Sequence, residues 1–144
     1  MIDGVIVSPL GRYQDERGAV LKMLRADDPH FAGFGEIYFS LALPGAVKGW
    51  TRHTRATGQY AVPEGDMKIV LHDGRSGGPT YGETATFAIG GGNHALLTVP
   101  PGIWMSFAAI GGEPALLANC ASLPHDPAES EKKPIGTPDI PFRW

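Results

Sequence analysis

The chain has 144 residues, of which 42% are hydrophobic and 19% are charged, and its formal net charge is -3 at pH 7. Its 20 glycines and 13 prolines argue against a helical bundle or a coiled coil, because both residue types weaken helix interiors. The small net charge and a pI near 5.9 give no general attraction to nucleic acid or to an anionic membrane.

The elements predicted from the sequence are short β-prone segments separated by turn residues. In chain order they span residues 2–7, 19–24, 36–41, 47–53, 67–71, 84–89, 95–99, 103–110 and 115–121. Residues 13–18 are predicted as a polar turn, and 27–29 as a break that opens at most one helical turn. Strands at intervals of 8 to 15 residues are typical of a sandwich or barrel. We therefore expect one all-β domain over 1–144, in which the polar, proline-rich residues 124–144 form an extended tail packed on it.

The expected compartment is the cytoplasm. No apolar run reaches the roughly 18 residues of a membrane span, and the first four residues lack the character of a signal peptide. A single cysteine cannot form an internal disulfide, which fits a reducing compartment. Cys120 follows an apolar run and is expected to be a small buried residue rather than a nucleophile.

Two stretches are similar to the two cupin motifs. Gly45, Thr51, His53, Gly58 and Gly65 stand at the spacing of the first motif, and Pro100, Gly102 and Met105 at that of the second. The frame predicts a cupin-type jelly roll with little helix. A metal cupin has two histidines, an acid and a third histidine where this chain has Thr51, His53, Gly58 and Met105. One imidazole holds a first-row metal weakly, and Gln59 and His72 stand outside the motif positions, so we expect no metal and no cofactor.

A narrower resemblance covers residues 8–144. The segments that carry it, in order, are DERG (15–18), GEIYFS (35–40), VKGW (47–50), LHDGR (71–75), GPTYG (78–82), VPPGIW (99–104) and IPFRW (140–144). They resemble the dTDP-4-dehydrorhamnose 3,5-epimerase family. The resemblance implies a metal-independent jelly-roll enzyme, usually a homodimer, that acts on a 4-keto-6-deoxy sugar attached to a nucleoside diphosphate. It also implies removal of a proton next to a carbonyl, followed by reprotonation on the other face.

The family's proton-transfer positions are altered in this chain. By the resemblance, the base position holds Thr51, the second histidine position holds Met105, and the position expected for a catalytic tyrosine falls near Ala118. Gly58 stands where a lysine or another polar residue is expected. The sequence therefore keeps the family's frame and changes most of its chemistry.

Three interpretations stay open. In the first, the protein is an epimerase or isomerase with a relocated base, His53, which shares a strand face with Thr51, while Lys48 contacts a carbonyl or diphosphate oxygen. In the second, the barrel binds, cyclises or isomerises a less polar metabolite in a pocket of aromatic and apolar side chains. That pocket is expected to contain Tyr38, Trp50, Tyr60, Trp104, Met105 and Phe107. In the third, the protein is a non-catalytic relative.

Four further residues are candidates for substrate binding. Arg17 matches a family segment that helps to bind the nucleotide diphosphate, and an arginine fork suits phosphate oxygens. Glu36 and Tyr38 align with the family's nucleoside-contact strand. His72 ends a strand and is a candidate for facing the pocket.

Overall fold

The computed structural model describes residues 1–144 and consists of strands, turns and loops without an α-helix. The strands are β1 (Ile6–Pro9), β2 (Arg12–Asp15), β3 (Gly18–Leu21), β4 (Glu36–Ala42), β5 (Val47–His53), β6 (Gly58–Glu64), β7 (Asp66–Asp73), β8 (Thr84–Gly90), β9 (Ala95–Val99), β10 (Ile103–Ile110), β11 (Ala115–Ala121) and β12 (Ser130–Lys132). None of the chain forms a helix with the length and apolar character needed to cross a membrane.

Two five-stranded antiparallel sheets form the barrel. Sheet A has the order β1-β9-β6-β11-β4, sheet B is the separate two-stranded hairpin β2-β3, and sheet C has the order β12-β5-β10-β7-β8. The many crossovers between strands that are distant in sequence are those of a jelly roll. The cupin-type fold predicted from the sequence is confirmed.

The main core lies between the two sheets. Strand β7 illustrates its construction, because Met67, Ile69 and Leu71 alternate inward and are fully buried in this core. Val70 points to the other face of sheet C, where it packs with Trp50, Trp104 and Ile140 in a second cluster. Sheet C is therefore buried on both faces, since Ile140 belongs to the tail that covers its outer side.

Three elements differ from the prediction. The segment predicted as a polar turn contributes to a hairpin, in which β2 pairs with β3 outside both large sheets. Strand β6 was missed because Gly58 and Pro63 disfavour a strand, and a register shift between Leu116 and Ala118 lies opposite Pro63. Strand β12 was missed because its three polar residues gain order only by pairing with β5.

A buried aspartate, Asp73, is the last residue of β7. Asp73 accepts hydrogen bonds from the backbone and guanidinium of Arg75 and a 2.6 Å bond from the Thr80 hydroxyl. Burial alone would raise the pKa of this carboxyl, but the bonds from Arg75 and Thr80 lower it to about 2. Arg75 also donates to the carbonyl of Asp3, which ties the N-terminal segment to this loop.

Candidate functional site

A cavity of about 240 Å³ opens between the two sheets. Its wall on sheet C comes from β5 and β10, and its wall on sheet A comes from β4, β6 and β11. Both apolar and polar side chains line it. The lining residues are Tyr38, Ser40, Lys48, Gly49, Thr51, His53, Ala56, Gly58, Tyr60, Val99, Pro100, Ile103, Met105, Phe107 and Leu117.

A histidine on the sheet C wall of the cavity is paired with a carboxylate. His53 is the last residue of β5, and its Nδ1 lies 2.7 Å from Oε1 of Glu129. Glu129 comes directly before β12, whose pairing with β5 sets Ser130 opposite His53. The Glu129 backbone carbonyl also accepts bonds from the Thr54 amide and the Thr54 hydroxyl. Both partners are thus fixed by the backbone that carries them.

Hydrogen bonds from His53 and from two backbone amides hold the Glu129 carboxylate. Its Oε2 accepts hydrogen bonds from the backbone amides of Arg55 at 3.0 Å and Ala56 at 2.8 Å, and the side chain is only 5% exposed. Burial alone would raise its pKa, but the bonds from His53 and from these two amides lower it. An ionised carboxylate only accepts hydrogen bonds, so Nδ1 of His53 is the donor in this pair, and the neutral imidazole with this tautomer has its lone pair on Nε2.

A lysine occupies the same cavity. The Nζ of Lys48 donates to the Ser40 hydroxyl at 2.7 Å and to the Leu41 carbonyl at 2.9 Å, which holds it against β4. The Lys48 backbone is also fixed, because its carbonyl accepts a bond from the Ser106 hydroxyl. An ammonium group has three donors, so one N–H of Lys48 stays available to a ligand.

Two tyrosines line the wall on sheet A. The side chain of Tyr60 is buried and lies over Gly58, where any Cβ would overlap the phenol ring. Burial, with smaller contributions from Tyr38 and Glu129, raises the pKa of Tyr60 well above its ordinary value. The hydroxyl of Tyr38 accepts a 3.1 Å bond from the Asn119 side chain, and Asn119 stands between the two tyrosines in the sheet register.

A second cleft, of about 410 Å³, adjoins the cavity. The two spaces share Tyr38, Thr51, His53 and Ala56 as walls. Polar and charged residues that line only this cleft include Glu36, His125, Glu129 and Lys132. A ligand longer than a single sugar ring therefore has room to extend from the cavity past His53.

The side chains do not form a cluster suited to a metal ion. No group of three or more His, Cys, Asp or Glu side chains is arranged to hold one. At the four cupin ligand positions, Thr51, His53 and Met105 line the cavity with Gly58, so a single imidazole is the only strong nitrogen donor among them.

Comparisons with known proteins identify the family. SpsL, a spore coat polysaccharide biosynthesis protein of Bacillus subtilis (strain 168), is 30% identical over 146 residues, which cover 100% of this chain and 97% of SpsL. Agl13, a probable low-salt glycan biosynthesis epimerase of Haloferax volcanii, is 33% identical over 136 residues, 93% of this chain and 87% of Agl13. The crystal structure of a dTDP sugar isomerase from Desulfovibrio desulfuricans G20 is 48% identical, with a TM-score of 0.96 over 99% of this chain and 91% of that one.

The chain belongs to the dTDP-sugar epimerase and isomerase family. This confirms the resemblance to dTDP-4-dehydrorhamnose 3,5-epimerases noted in the sequence. NovW, a 4-keto-6-deoxy sugar epimerase from Streptomyces spheroides, shares the fold at 22% identity, with a TM-score of 0.89 over 99% of this chain and 75% of NovW. No family model matches the chain.

Most of the residues predicted for the site of this epimerase-family chain come together. Those that line the cavity are Tyr38, Lys48, Thr51, His53, Tyr60 and Met105, and Glu36 lines the adjoining cleft. Phe107 also lines the cavity, as expected for an apolar pocket. Their functional roles stay predictions, since only their positions are observed.

Arg17, His72 and Trp104 lie away from the cavity. Arg17 is at the turn between β2 and β3, 83% exposed and paired with Asp15 at 2.7 Å. His72 and Trp104 are directly opposed on β7 and β10 and face the outer surface of sheet C, because successive residues of a strand point to opposite faces. Trp104 packs there with Trp50, so neither tryptophan joins the predicted pocket.

Sequence reasoning missed Glu129. The residue lies in the polar tail, 76 positions from His53, and no motif marks it. Asp126 and Glu131 lie within three residues of it, so nothing in the sequence separates Glu129 from its acidic neighbours. Cys120 is buried, and burial raises the pKa of its thiol, as expected for a structural residue.

Proposed function

We propose that the protein is an epimerase or isomerase of a 4-keto-6-deoxy nucleotide sugar, in which His53 is the catalytic base. The observation that carries the proposal is the His53–Glu129 pair, with a 2.7 Å bond on the wall of a cavity in a chain of this family. Glu129 fixes the tautomer of the neutral imidazole in which Nε2 has the lone pair, and it stabilises the imidazolium that forms when Nε2 takes a proton.

The reaction begins at a carbon next to the sugar carbonyl. Nε2 of His53 takes the proton from this carbon, and the electron pair of the C–H bond moves toward the carbonyl oxygen to form an enolate. The free N–H of Lys48 is the donor for that oxygen, because the other two N–H groups are held by Ser40 and Leu41. Thr51, beside His53 on the same strand face, offers a hydroxyl to the sugar.

The substrate class follows from the relatives and from the cavity. Homologous structures are described as a dTDP sugar isomerase and, at lower identity, as a 4-keto-6-deoxy sugar epimerase. The apolar side chains of Ile103, Met105 and Phe107 suit the methyl group of a 6-deoxy sugar. The adjoining cleft, with Lys132 on its wall, has room for a nucleoside diphosphate.

A ligand-binding experiment tests the substrate class. Thermal unfolding is measured with millimolar dTDP, UDP or GDP, because a ligand that binds only the native state raises the midpoint. A rise with at least one diphosphate, absent with the free nucleoside, supports the proposal. No rise with any of the three favours a barrel for a less polar metabolite or a non-catalytic relative.

Proton transfer without a metal is part of the proposal. It rests on the donor set, since Thr51, Gly58 and Met105 replace three of the four cupin ligands around His53. Metal analysis of protein purified without chelators checks this directly. Stoichiometric zinc, iron, nickel or manganese that is required for turnover contradicts it.

A homodimer is the proposed assembly. Strand β4 is the edge of sheet A, and its outward residues Ile37, Phe39 and Leu41 are 54%, 64% and 53% exposed. An exposed apolar edge strand is a ready surface for a second copy of the chain. The hairpin of β2 and β3 is likewise exposed almost throughout. Light scattering is expected to give a dimer for the wild type and a shift toward monomer for Phe39→Glu.

A second copy also gives Arg17 a role in substrate binding. Arg17 is far from the cavity of its own chain, so it binds a diphosphate only if a dimer brings it to the partner's cleft. Mixed dimers of Arg17→Ala and His53→Ala chains test this. One intact site per mixed dimer restores activity if Arg17 acts across the interface, whereas no restoration means that it does not. A cytoplasmic location stays a prediction.

A further inference from the structure

Tyr60 stands across the cavity from His53. His53 belongs to β5 of sheet C, and Tyr60 belongs to β6 of sheet A, and both side chains line the same space between the sheets. The two residues therefore belong to opposite walls of the cavity, so a sugar ring bound between the walls would have the imidazole on one side and the phenol on the other. Inversion at a carbon needs this arrangement, because the proton that returns must approach the face opposite the one it left.

The phenol of Tyr60 is free to donate. It makes no hydrogen bond within the protein, although the residue is only 5% exposed and lines the cavity. Its high pKa, caused by burial, keeps it protonated at the pH of any ordinary assay. Tyr38 differs, because it lies at the edge of sheet A, is about two-fifths exposed and is held by Asn119.

Gly58 makes this position of the ring attainable. The phenol of Tyr60 folds back over Gly58, two residues earlier on the same strand face, and fills the place of a side chain at 58. Gly58, which stands where metal cupins have an acid, therefore does more than remove a metal ligand. It admits a phenol from the neighbouring position into the cavity.

We propose that Tyr60 is the catalytic acid that protonates the sugar carbon on the face opposite His53; this inference rests on the proposed function. His53 Nε2 takes the proton and leaves an enolate, and the enolate carbon then takes the hydroxyl proton of Tyr60. The new C–H bond forms as the O–H bond breaks, which leaves a phenolate. Between turnovers the phenolate regains a proton from solvent and the imidazolium of His53 loses one.

Deuterium exchange and inversion are measured together for Tyr60→Phe. The probe is dTDP-4-keto-6-deoxyglucose in D₂O, with deuterium followed by mass spectrometry and configuration by NMR. Removal of the hydroxyl is expected to lower the rate of inversion by about 100-fold or more, the usual effect of losing a general acid. Exchange that depends on His53 and returns the unchanged configuration is expected to persist within about threefold of wild type, because removal of the proton needs only the base.

Three other variants extend the test. Tyr81→Phe, an exposed tyrosine outside the cavity, is the matched control and is expected to keep both rates. Gly58→Ala is expected to displace the ring and to reproduce the loss of inversion. The double variant Gly58→Ala/Tyr60→Phe should be no slower than Tyr60→Phe, because the two changes remove the same donor.

The outcomes separate this inference from the proposed function. Inversion by folded Tyr60→Phe at a rate close to wild type overturns the role of Tyr60, and so does a loss of exchange in parallel with inversion. Wild-type protein that performs neither exchange nor inversion overturns the proposed function itself, before any variant is compared. Exchange without inversion in Tyr60→Phe supports both.

Discussion

Replacement of Glu129 by glutamine tests the histidine–carboxylate pair with the smallest change in shape. The glutamine oxygen keeps the bonds from the backbone amides of Arg55 and Ala56, and its NH₂ group then faces Nδ1 of His53. An NH₂ group donates, so Nδ1 becomes an acceptor and the proton moves to Nε2. The imidazole then lacks the lone pair with which it would take a proton from the sugar.

The size of the effect follows from the bond that is lost. A hydrogen bond to a charged group contributes about 1.5–3 kcal/mol, and the imidazolium formed during the reaction loses one. At 1.36 kcal/mol per factor of ten, this alone lowers kcat about 10- to 150-fold. The wrong tautomer lowers kcat further, so we expect a loss of at least about 100-fold with a much smaller change in KM.

The assay is the rate of deuterium incorporation into a 4-keto-6-deoxy nucleotide sugar. Glu131→Gln is the matched control, because Glu131 lies two residues later in β12, bonds Arg52 at 2.8 Å and lines the outer face of sheet C rather than the cavity. This control is expected to keep kcat within about twofold of wild type. The reasoning is refuted if folded Glu129→Gln exchanges at a rate similar to that of the control.

Three further predictions concern stability, the enolate oxygen and metal. Asp73→Asn should lower the free energy of unfolding at pH 7 by about 2 kcal/mol. This figure follows from the lowering of the Asp73 pKa from its ordinary 3.8 to about 2 in the folded protein. Because this folded-state pKa is depressed, the stabilisation is present above about pH 4 and is lost as pH falls toward 2, which urea titrations at several pH values would detect. Lys48→Met should lower kcat about 10- to 150-fold, while the melting temperature stays within a few degrees of that of the wild type. An unchanged kcat would exclude Lys48 as the donor to the enolate oxygen. Dialysis against a chelator should leave turnover unchanged, and activity restored only by added metal would contradict the mechanism.

Much of the fold was predictable from turn chemistry. The observed bounds of β5, β9, β10 and β11 match the predicted segments, because each is an apolar run between glycine- or proline-rich turns. Strand β6 was not predictable in this way, because a glycine and a proline indicate turns when the local sequence is considered alone. They fit a strand here only because the pairing of β6 with β11 is irregular. Strand β12 depends on a partner 77 residues earlier, so local propensity carries no signal for it.

The site was predictable in part. The i, i+2 rule placed His53 beside Thr51, and both line the cavity. By the same rule Trp104 and Met105, as successive residues, point to opposite faces of the sheet. Since Met105 faces the cavity, Trp104 and its cross-strand neighbour His72 should have been predicted on the outer face. Glu129 was not predictable, because the contact that defines it is made by tertiary pairing of the tail. Nor was the orientation of Tyr60, which depends on the space above Gly58.

The central claim is that His53 removes a proton next to the carbonyl of a nucleotide sugar. The most direct measurement is the initial rate of deuterium incorporation from D₂O into dTDP-4-keto-6-deoxyglucose, compared between wild type and His53→Ala with Thr51 intact. The account predicts incorporation at a carbon adjacent to the carbonyl by the wild type, and a rate for folded His53→Ala no higher than that of the buffer alone. Equal incorporation by the two proteins would contradict it.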